Sequence, residues 1–227
     1  MSRTPRLCHG EWVTQAGPGR PRLREPRRPG ATARAEILDA AAEFFTARGF
    51  ASTSTRLIAD AVGIRQASLY NHFATKNDIL LALLEGTVEP TIEFHANLDP
   101  DQPATVRLCA LAWFDTAQLC AHRWNLGALY LLPEVRSEQF GRFRAERDEL
   151  AERYRDLATA IVGPRDPRAE LPFRLVESAI AIRADDELVD AHLPEVLATA
   201  SLDVLGVADV AAVKRRARAL VIGVPGT

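Results

Sequence analysis

At 227 residues the chain is long enough for one domain or two small ones around a sizeable core, and its 47% hydrophobic content is that of an ordinary globular protein. No run of eighteen apolar residues exists, and no apolar stretch follows the basic N-terminus, so neither a membrane span nor a secretory signal is expected. Three cysteines, an odd number, fit a reducing compartment, and the expected location is the cytoplasm.

A basic, proline-rich arm comes first. Residues 1–34 hold eight arginines against Glu11 and Glu25, whereas the rest of the chain carries 20 basic and 28 acidic residues, so a net charge of −2 hides a cationic end and an acidic remainder. Pro5, Pro18, Pro21, Pro26 and Pro29 punctuate the arm, assigned to residues 1–31, and predict disorder in the free chain. Three readings remain open for it: a solvated tail, an upstream extension from a mis-chosen start codon, or a segment whose Arg22, Arg24, Arg27 and Arg28 enter a DNA minor groove.

The spacing of Ile37, Leu38, Ala41, Phe44 and Phe45 predicts a helix over Ala33 to Arg48, with Thr32 as N-cap and Gly49 at its end. Thr53 and Ser54 stand before a second apolar-periodic segment containing Leu57, Ile58 and Ala61, and Gly63 follows it directly. A glycine there can take the left-handed conformation that turns the chain sharply. A further short helix over Gln66 to Phe73 turns Leu69 and Phe73 inward, leaving Arg65, Gln66, Ser68, Tyr70, Asn71 and His72 outward. Those outward groups suit base edges and phosphates. Thr75-Lys76-Asn77-Asp78 has the pattern of a capping box, opening a fourth helix from about Thr75 to Glu89. Periodicity alone is equally compatible with two plain helices of an all-α core joined by a glycine turn.

Taken together, Ala41, Phe44-Phe45, Gly49-Phe50, Thr53, Ile58-Ala59, Gly63-Ile64, Leu69-Tyr70, His72-Phe73 and Lys76 resemble the N-terminal DNA-binding domain of the tetracycline-repressor (TetR) family of bacterial transcriptional regulators. The resemblance runs from about Ala33 to Leu84, under a quarter of the chain. It implies that Arg65, Gln66 and Ser68 face bases, Arg65 being suited to guanine and Gln66 to adenine. It also implies that Thr53, Tyr70, His72 and Lys76 hold phosphates, with the first-turn amides of the fourth helix beside Lys76. Arg34, Ser54, Ala67 and Asn71 complete the candidate DNA-binding set. Two residues depart from the family pattern: Arg65 stands where Ser or Thr usually opens the recognition helix, and Ala67 where Gly is common. The first loses an N-cap and adds a long cation; the second improves helix propensity.

Beyond Gly86 the pattern is helical throughout. Helices are predicted over Ala104 to His122, with Val106, Ala110, Trp113, Ala117 and Cys120 along one face, then Trp124 to Leu131, Ser137 to Val162, Leu171 to Arg183, Pro194 to Leu205 and Val210 to Val221. The long helix carries the stripe Phe140, Phe143, Leu150, Tyr154, Leu157 and Ile161, with Arg144–Asp148 and Glu149–Arg153 pairs outside. The resemblance implies that the last two long helices pair with their copies in a dimer, for which Leu175, Ala179, Ile182, Leu197, Leu202 and Leu205 are candidates. It implies a small-molecule pocket as well, with Trp113, Phe114, His122, Trp124, Tyr130 and Phe143 as candidates; core packing is the competing role for each. Cys109 and Cys120 sit three helical turns and about 16 Å apart, too far for one metal ion or a disulfide, so no metal site is expected.

The fold expected is therefore all-α: a helix-turn-helix domain over residues 32–80 and a larger helical ligand-binding and dimerisation domain over 81–227. The function expected is a ligand-responsive repressor that binds a palindromic operator as a homodimer and is released by a small apolar or amphipathic molecule, without a cofactor. Alternatives are an activator, a regulator controlled by a protein partner, or an all-α enzyme. Against the enzyme, the sequence has no phosphate loop, no His-Glu-Xaa-Xaa-His pair and no nucleophile elbow, and Asp185-Asp186-Glu187 reads as a solvated helix end.

Overall fold

The computed structural model describes residues 28–185 and 190–222. Among them are nine α-helices and no strand: α1 (Ala33–Arg48), α2 (Thr55–Val62), α3 (Gln66–Tyr70), α4 (Lys76–Ala96), α5 (Ala104–Ala121), α6 (Gly141–Val162), α7 (Leu171–Asp185), α8 (Leu193–Val204) and α9 (Val210–Ile222). Short 3-10 turns at Leu126–Leu131, Pro133–Arg136 and Glu138–Phe140 link α5 to α6, and Pro167–Glu170 leads into α7.

Helices α1 to α3 and the first turns of α4 close on one apolar cluster, here termed the head. Ile37, Phe45, Ile58, Leu69, Phe73, Ile79 and Leu80 are buried in it, and Phe45 meets Phe50 edge-on at 4.9 Å. The remaining helices form the body. At its centre is α5, whose Val106, Leu108 to Ala112, Phe114 to Thr116 and Leu119 are all buried, and which touches α4, α6, α7, α8 and α9. Its expected single apolar face was too narrow, because a helix covered on every side is apolar nearly all round.

The local signals operate as their chemistry demands. Thr32 Oγ1 accepts from Ala35 N at 3.2 Å and starts α1. Ser54 Oγ accepts from Leu57 N at 3.1 Å and starts α2. Thr75 and Asp78 complete the capping box of α4, each side chain bonding the other's backbone N–H at 3.2 and 2.8 Å. Two boundaries differ from expectation. α3 ends at Tyr70 rather than Phe73, although Phe73 N still bonds Leu69 O at 3.1 Å. α4 runs on to Ala96 through Pro90, so the boundary placed at residues 80/81 falls inside one continuous helix. Proline costs a helix one N–H donor, and burial of Val88, Thr91 and Phe94 on both sides of Pro90 keeps this one intact.

The outer pairs of α6 divide. Glu149 and Arg153 are ion-paired, whereas Arg144 turns from Asp148 to donate to the carbonyls of Val135 and Ser137 at 2.5 and 2.7 Å, closing the 3-10 turns against the helix.

Candidate functional site

The turn between α2 and α3 is a Schellman motif. Gly63 takes φ 76° and ψ 30°, its N–H reaches Asp60 O, and Ile64 N reaches Ala59 O at 3.0 Å. Arg65 precedes α3 with extended backbone and no side-chain cap, as its lack of a short acceptor dictates. With Leu69 and Phe73 drawn into the head, Arg65, Gln66, Ala67, Tyr70, Asn71 and His72 are exposed and Ser68 is half-buried. Tyr70, 47% exposed, anchors a small cluster: its hydroxyl lies 3.1 Å from Thr55 Oγ1, which accepts from Gln66 Nε2 at 2.9 Å. Thr55 was not among the sequence candidates, since only the α2–α3 angle brings it to Gln66. Arg34 is exposed with its guanidinium 4.8 Å from the Phe73 ring centre, beside the end of α3. The Ser54 hydroxyl caps α2 as acceptor and stays exposed, which leaves its proton to donate.

Of the expected phosphate contacts, Thr53 is corrected and Lys76 is found engaged within the head. Thr53 is 1% exposed, and its hydroxyl donates to the carbonyls of Gly49 at 2.9 Å and Phe44 at 3.3 Å. It tethers the α1–α2 loop and offers no side-chain surface to DNA. The Lys76 ammonium donates to Phe50 O at 2.8 Å and Thr53 O at 2.9 Å, and lies 4.1 Å from the Phe50 ring centre. Burial lowers its pKa, and two of its three donors are already spent. Of the arm arginines, Arg22, Arg24 and Arg27 lie outside the described residues. Arg28 is folded back onto α1, 3.0 Å from Asp39 Oδ2 and 2.7 Å from Glu43 Oε2, rather than extended toward a groove.

The body holds a second concentration of chemistry. Asp115 on α5 is 3% exposed and accepts from Tyr154 Oη at 2.9 Å and Thr91 Oγ1 at 3.2 Å, so α4, α5 and α6 meet on one carboxyl group. Burial pushes its pKa up to about 7, against the two hydrogen bonds that pull it down. Burial and the same carboxyl hold the Tyr154 hydroxyl well above its usual range. Further along α4, Thr87 Oγ1 lies 2.5 Å from Tyr130 Oη, and the Tyr130 ring sits 5.3 Å from Phe143. Arg147 pairs with Glu177 between the rings of Tyr130 and Phe173. Asp115, Thr87 and Thr91 escaped the sequence reading, since one short polar residue inside a long apolar helix has no periodicity to betray it.

The six pocket candidates do not converge on one place. Tyr130 and Phe143 meet, Phe114 stacks on Phe94 at 4.2 Å, and Trp113 is half-buried on α5. His122 and Trp124 stand just past the end of α5, where His122 Nδ1 accepts from Trp124 N at 3.3 Å. Burial lowers the His122 pKa. Of the two thiols on α5, Cys109 is buried and Cys120 half-buried, and burial takes Cys109 to about 12 and raises Cys120. Glu85, Glu89 and Glu146 bring carboxylates within 4.8 Å of one another, and Arg142 lies 3.7, 2.9 and 2.7 Å from them as their cation.

Comparison with known proteins bears on this geometry. Residues 37–83, which contain the turn and both its helices, match the family model of bacterial regulatory proteins of the tetR family. The crystal structure of Mycobacterium smegmatis AmtR is 53% identical, with a TM-score of 0.83 over 89% of this chain and 100% of that one. This chain belongs to the TetR family.

A shorter likeness links this TetR-family chain to the HTH-type transcriptional repressor KstR2 of Mycobacterium tuberculosis, 45% identical over 56 residues. That match covers 25% of this chain and spans 28% of the length of the curated relative. The solved structure of the ketosteroid transcriptional regulator KstR2 shares the fold, with a TM-score of 0.64 at 22% identity over 78% of this chain and 95% of that one. The family is one of DNA-binding regulators rather than enzymes, so the α2–α3 face is the candidate nucleic-acid interface and the polar interior of the body the candidate effector site. No helix among the described residues is long and apolar enough to cross a membrane.

Proposed function

We propose that the protein is a transcriptional repressor that binds a palindromic operator as a homodimer and is released by a small apolar or amphipathic effector. The observation that carries this reading is α3 itself. Its Leu69, with Phe73 just beyond it, is spent on the head's core, and Arg65, Gln66, Ala67, Asn71 and His72 are left exposed on and beside the helix. Arg65 and Gln66 supply the donors that read purine edges. Arg34, Ser54, Tyr70 and the first-turn amides of α4 surround them as phosphate contacts.

A dimer is needed because two such helices must meet half-sites about one DNA turn apart. The sequence candidates for its interface are revised. Ala179, Leu197, Leu202 and Leu205 are buried inside one protomer. The face that remains most open runs along Leu171, Leu175 and Ile182 on α7 and Val196, Ala200 and Val204 on α8, with Leu171 40% and Val196 53% exposed and the others half-buried. Small and β-branched residues along α8 permit close approach of a second copy.

For the effector, the interior between α4, α5 and α6 joins apolar walls to a few polar anchors, the usual make-up of a small-molecule site. Thr87, Thr91, Asp115, Tyr130 and Tyr154 are those anchors, and Phe114 and Phe143 the walls. Of the sequence candidates, His122, Trp124 and Trp113 fall outside this set.

A gel-shift titration with the DNA flanking the gene tests the reading. A discrete complex at low salt that competitor DNA does not displace is the expected result. A folded, dimeric protein that binds flanking and random DNA alike overturns it.

A further inference from the structure

Asp39 lies in the middle of α1, only 8% exposed, with its carboxylate at the junction of head and body. Arg123, two residues beyond α5, grips it with both prongs of its guanidinium: Nε to Oδ1 at 3.2 Å, Nη2 to Oδ1 at 2.9 Å and Nη2 to Oδ2 at 2.7 Å. A forked arginine–carboxylate pair fixes an angle as well as a distance, because both groups are planar. Arg28 joins the same carboxylate at 3.0 Å.

Arg123 has a fixed seat of its own. Its guanidinium stands 4.7 Å from the Trp124 ring centre. Arg183 of α7 donates to the carbonyl of His122 at 2.5 Å and also to that of Leu119, gathering the open end of α5. Asn125 Nδ2 donates to Ile180 O on α7 at 2.8 Å, and Gly127 packs so closely on Ile180 that a Cβ there would come within 2.5 Å of it. Residues 122–127 are thus bound to α7, whose other face is proposed above to meet the second copy.

The head is otherwise attached to the body chiefly through α4. At its first turn Asn77 donates to Gln139 Oε1 at 2.8 Å, and Gln139 Nε2 donates to Asp78 Oδ1 at 3.0 Å. α1 itself packs on the 3-10 turn Leu126–Leu131, an apolar contact that fixes distance more than angle. The Asp39–Arg123 pair is the charged fastening at this α1 contact, and its forked geometry restrains the angle between head and body.

We propose that Asp39 and Arg123 are positioning residues for operator binding: their ion pair, seated on α7 through residues 122–127, sets the angle at which each head presents α3 to its half-site. The proposal rests on the dimeric operator-binding reading above, and its test separates the two.

Full-length protein carrying Arg123→Gln, Arg123→Lys or Asp39→Asn is titrated with the operator, with random DNA at low salt, and with operators whose half-site spacing is lengthened or shortened by one base pair. Thermal midpoints are recorded alongside. Arg123→Gln is expected to weaken operator binding about tenfold, within the usual range for coupling between distant sites, and to leave random-DNA affinity unchanged. It should also flatten the preference for the native spacing. Arg123→Lys, which keeps the charge and loses the fork, should fall between. Asp39→Asn gives the same readout should the glutamine variant fold poorly. Equal losses on operator and random DNA, or a spacing preference identical to that of the parent protein, overturn the proposal. If the parent protein itself favours no palindromic DNA, the regulator reading fails first and takes this inference with it.

Discussion

At the scale of single residues, two side chains carry the sharpest consequences. Arg65 is exposed at the start of α3, where its five donors suit a guanine edge or a phosphate. Arg65→Ala is expected to cost about 1–3 kcal/mol on the preferred operator and to relax base preference at one position of each half-site, as measured by competition among single-base variants. A loss of equal size on every sequence would instead assign Arg65 to the backbone. Asp115 is the other. Its folded-state pKa of about 7 stands above the 3.8 of an ordinary aspartate, so between those values the folded chain keeps a proton that the unfolded chain releases. Stability from this group is therefore complete below the lower value and is lost as pH rises toward 7, by on the order of 4 kcal/mol. Urea unfolding from pH 4 to 8 should show a steeper decline for the parent protein than for Asp115→Asn. Parallel curves would mean that the carboxyl is ionised throughout.

At the scale of elements, the capping signals of α1, α2 and α4 were legible because each lies within four residues of its partner. The glycine turn was legible for the same reason. What local sequence hid was the fastening between elements. Lys76 reads as a phosphate ligand from its position, yet its ammonium binds two carbonyls of the α1–α2 loop, 26 and 23 residues earlier in the chain. Lys76→Met is accordingly expected to strand two carbonyls and lower stability by about 1–3 kcal/mol. Operator affinity measured well below the melting midpoint should change less than for Arg65→Ala. A large loss of DNA binding at unchanged stability would restore the phosphate role. Pro90 is the reverse case: proline predicts a break, and packing on both sides carries α4 through it.

At the scale of the whole molecule, the open face of α7 and α8 and the buried face of α8 make distinct demands. Val196→Glu places a charge on the open face and is expected to convert a dimer to monomers in sedimentation equilibrium, with operator binding lost and the monomer still folded. Leu202→Ala, by contrast, opens a cavity against α5 and should cost about 2–5 kcal/mol with the dimer retained in the molecules that stay folded. Sedimentation and melting that fail to separate these variants would refute the assignment of the two faces.

The sequence by itself determined the all-α class, the caps, the glycine turn and the exposed set on α3, since each depends on neighbours within one or two helical turns. It also held enough of the tetR pattern across Ala33 to Leu84 to imply the family. Only the tertiary structure decided which apolar residues are core and which are open surface, because Leu197 and Val196 are alike in composition and differ in the face they turn to α5. Tertiary structure likewise withdrew Thr53 from the DNA face, tied Lys76 to the α1–α2 loop, and brought together Asp115 with Tyr154, 39 residues away, and Asp39 with Arg123, 84 residues away. Hydrophobic spacing reports that a helix has a buried side; what lies on that side is fixed by the packing of all the helices together.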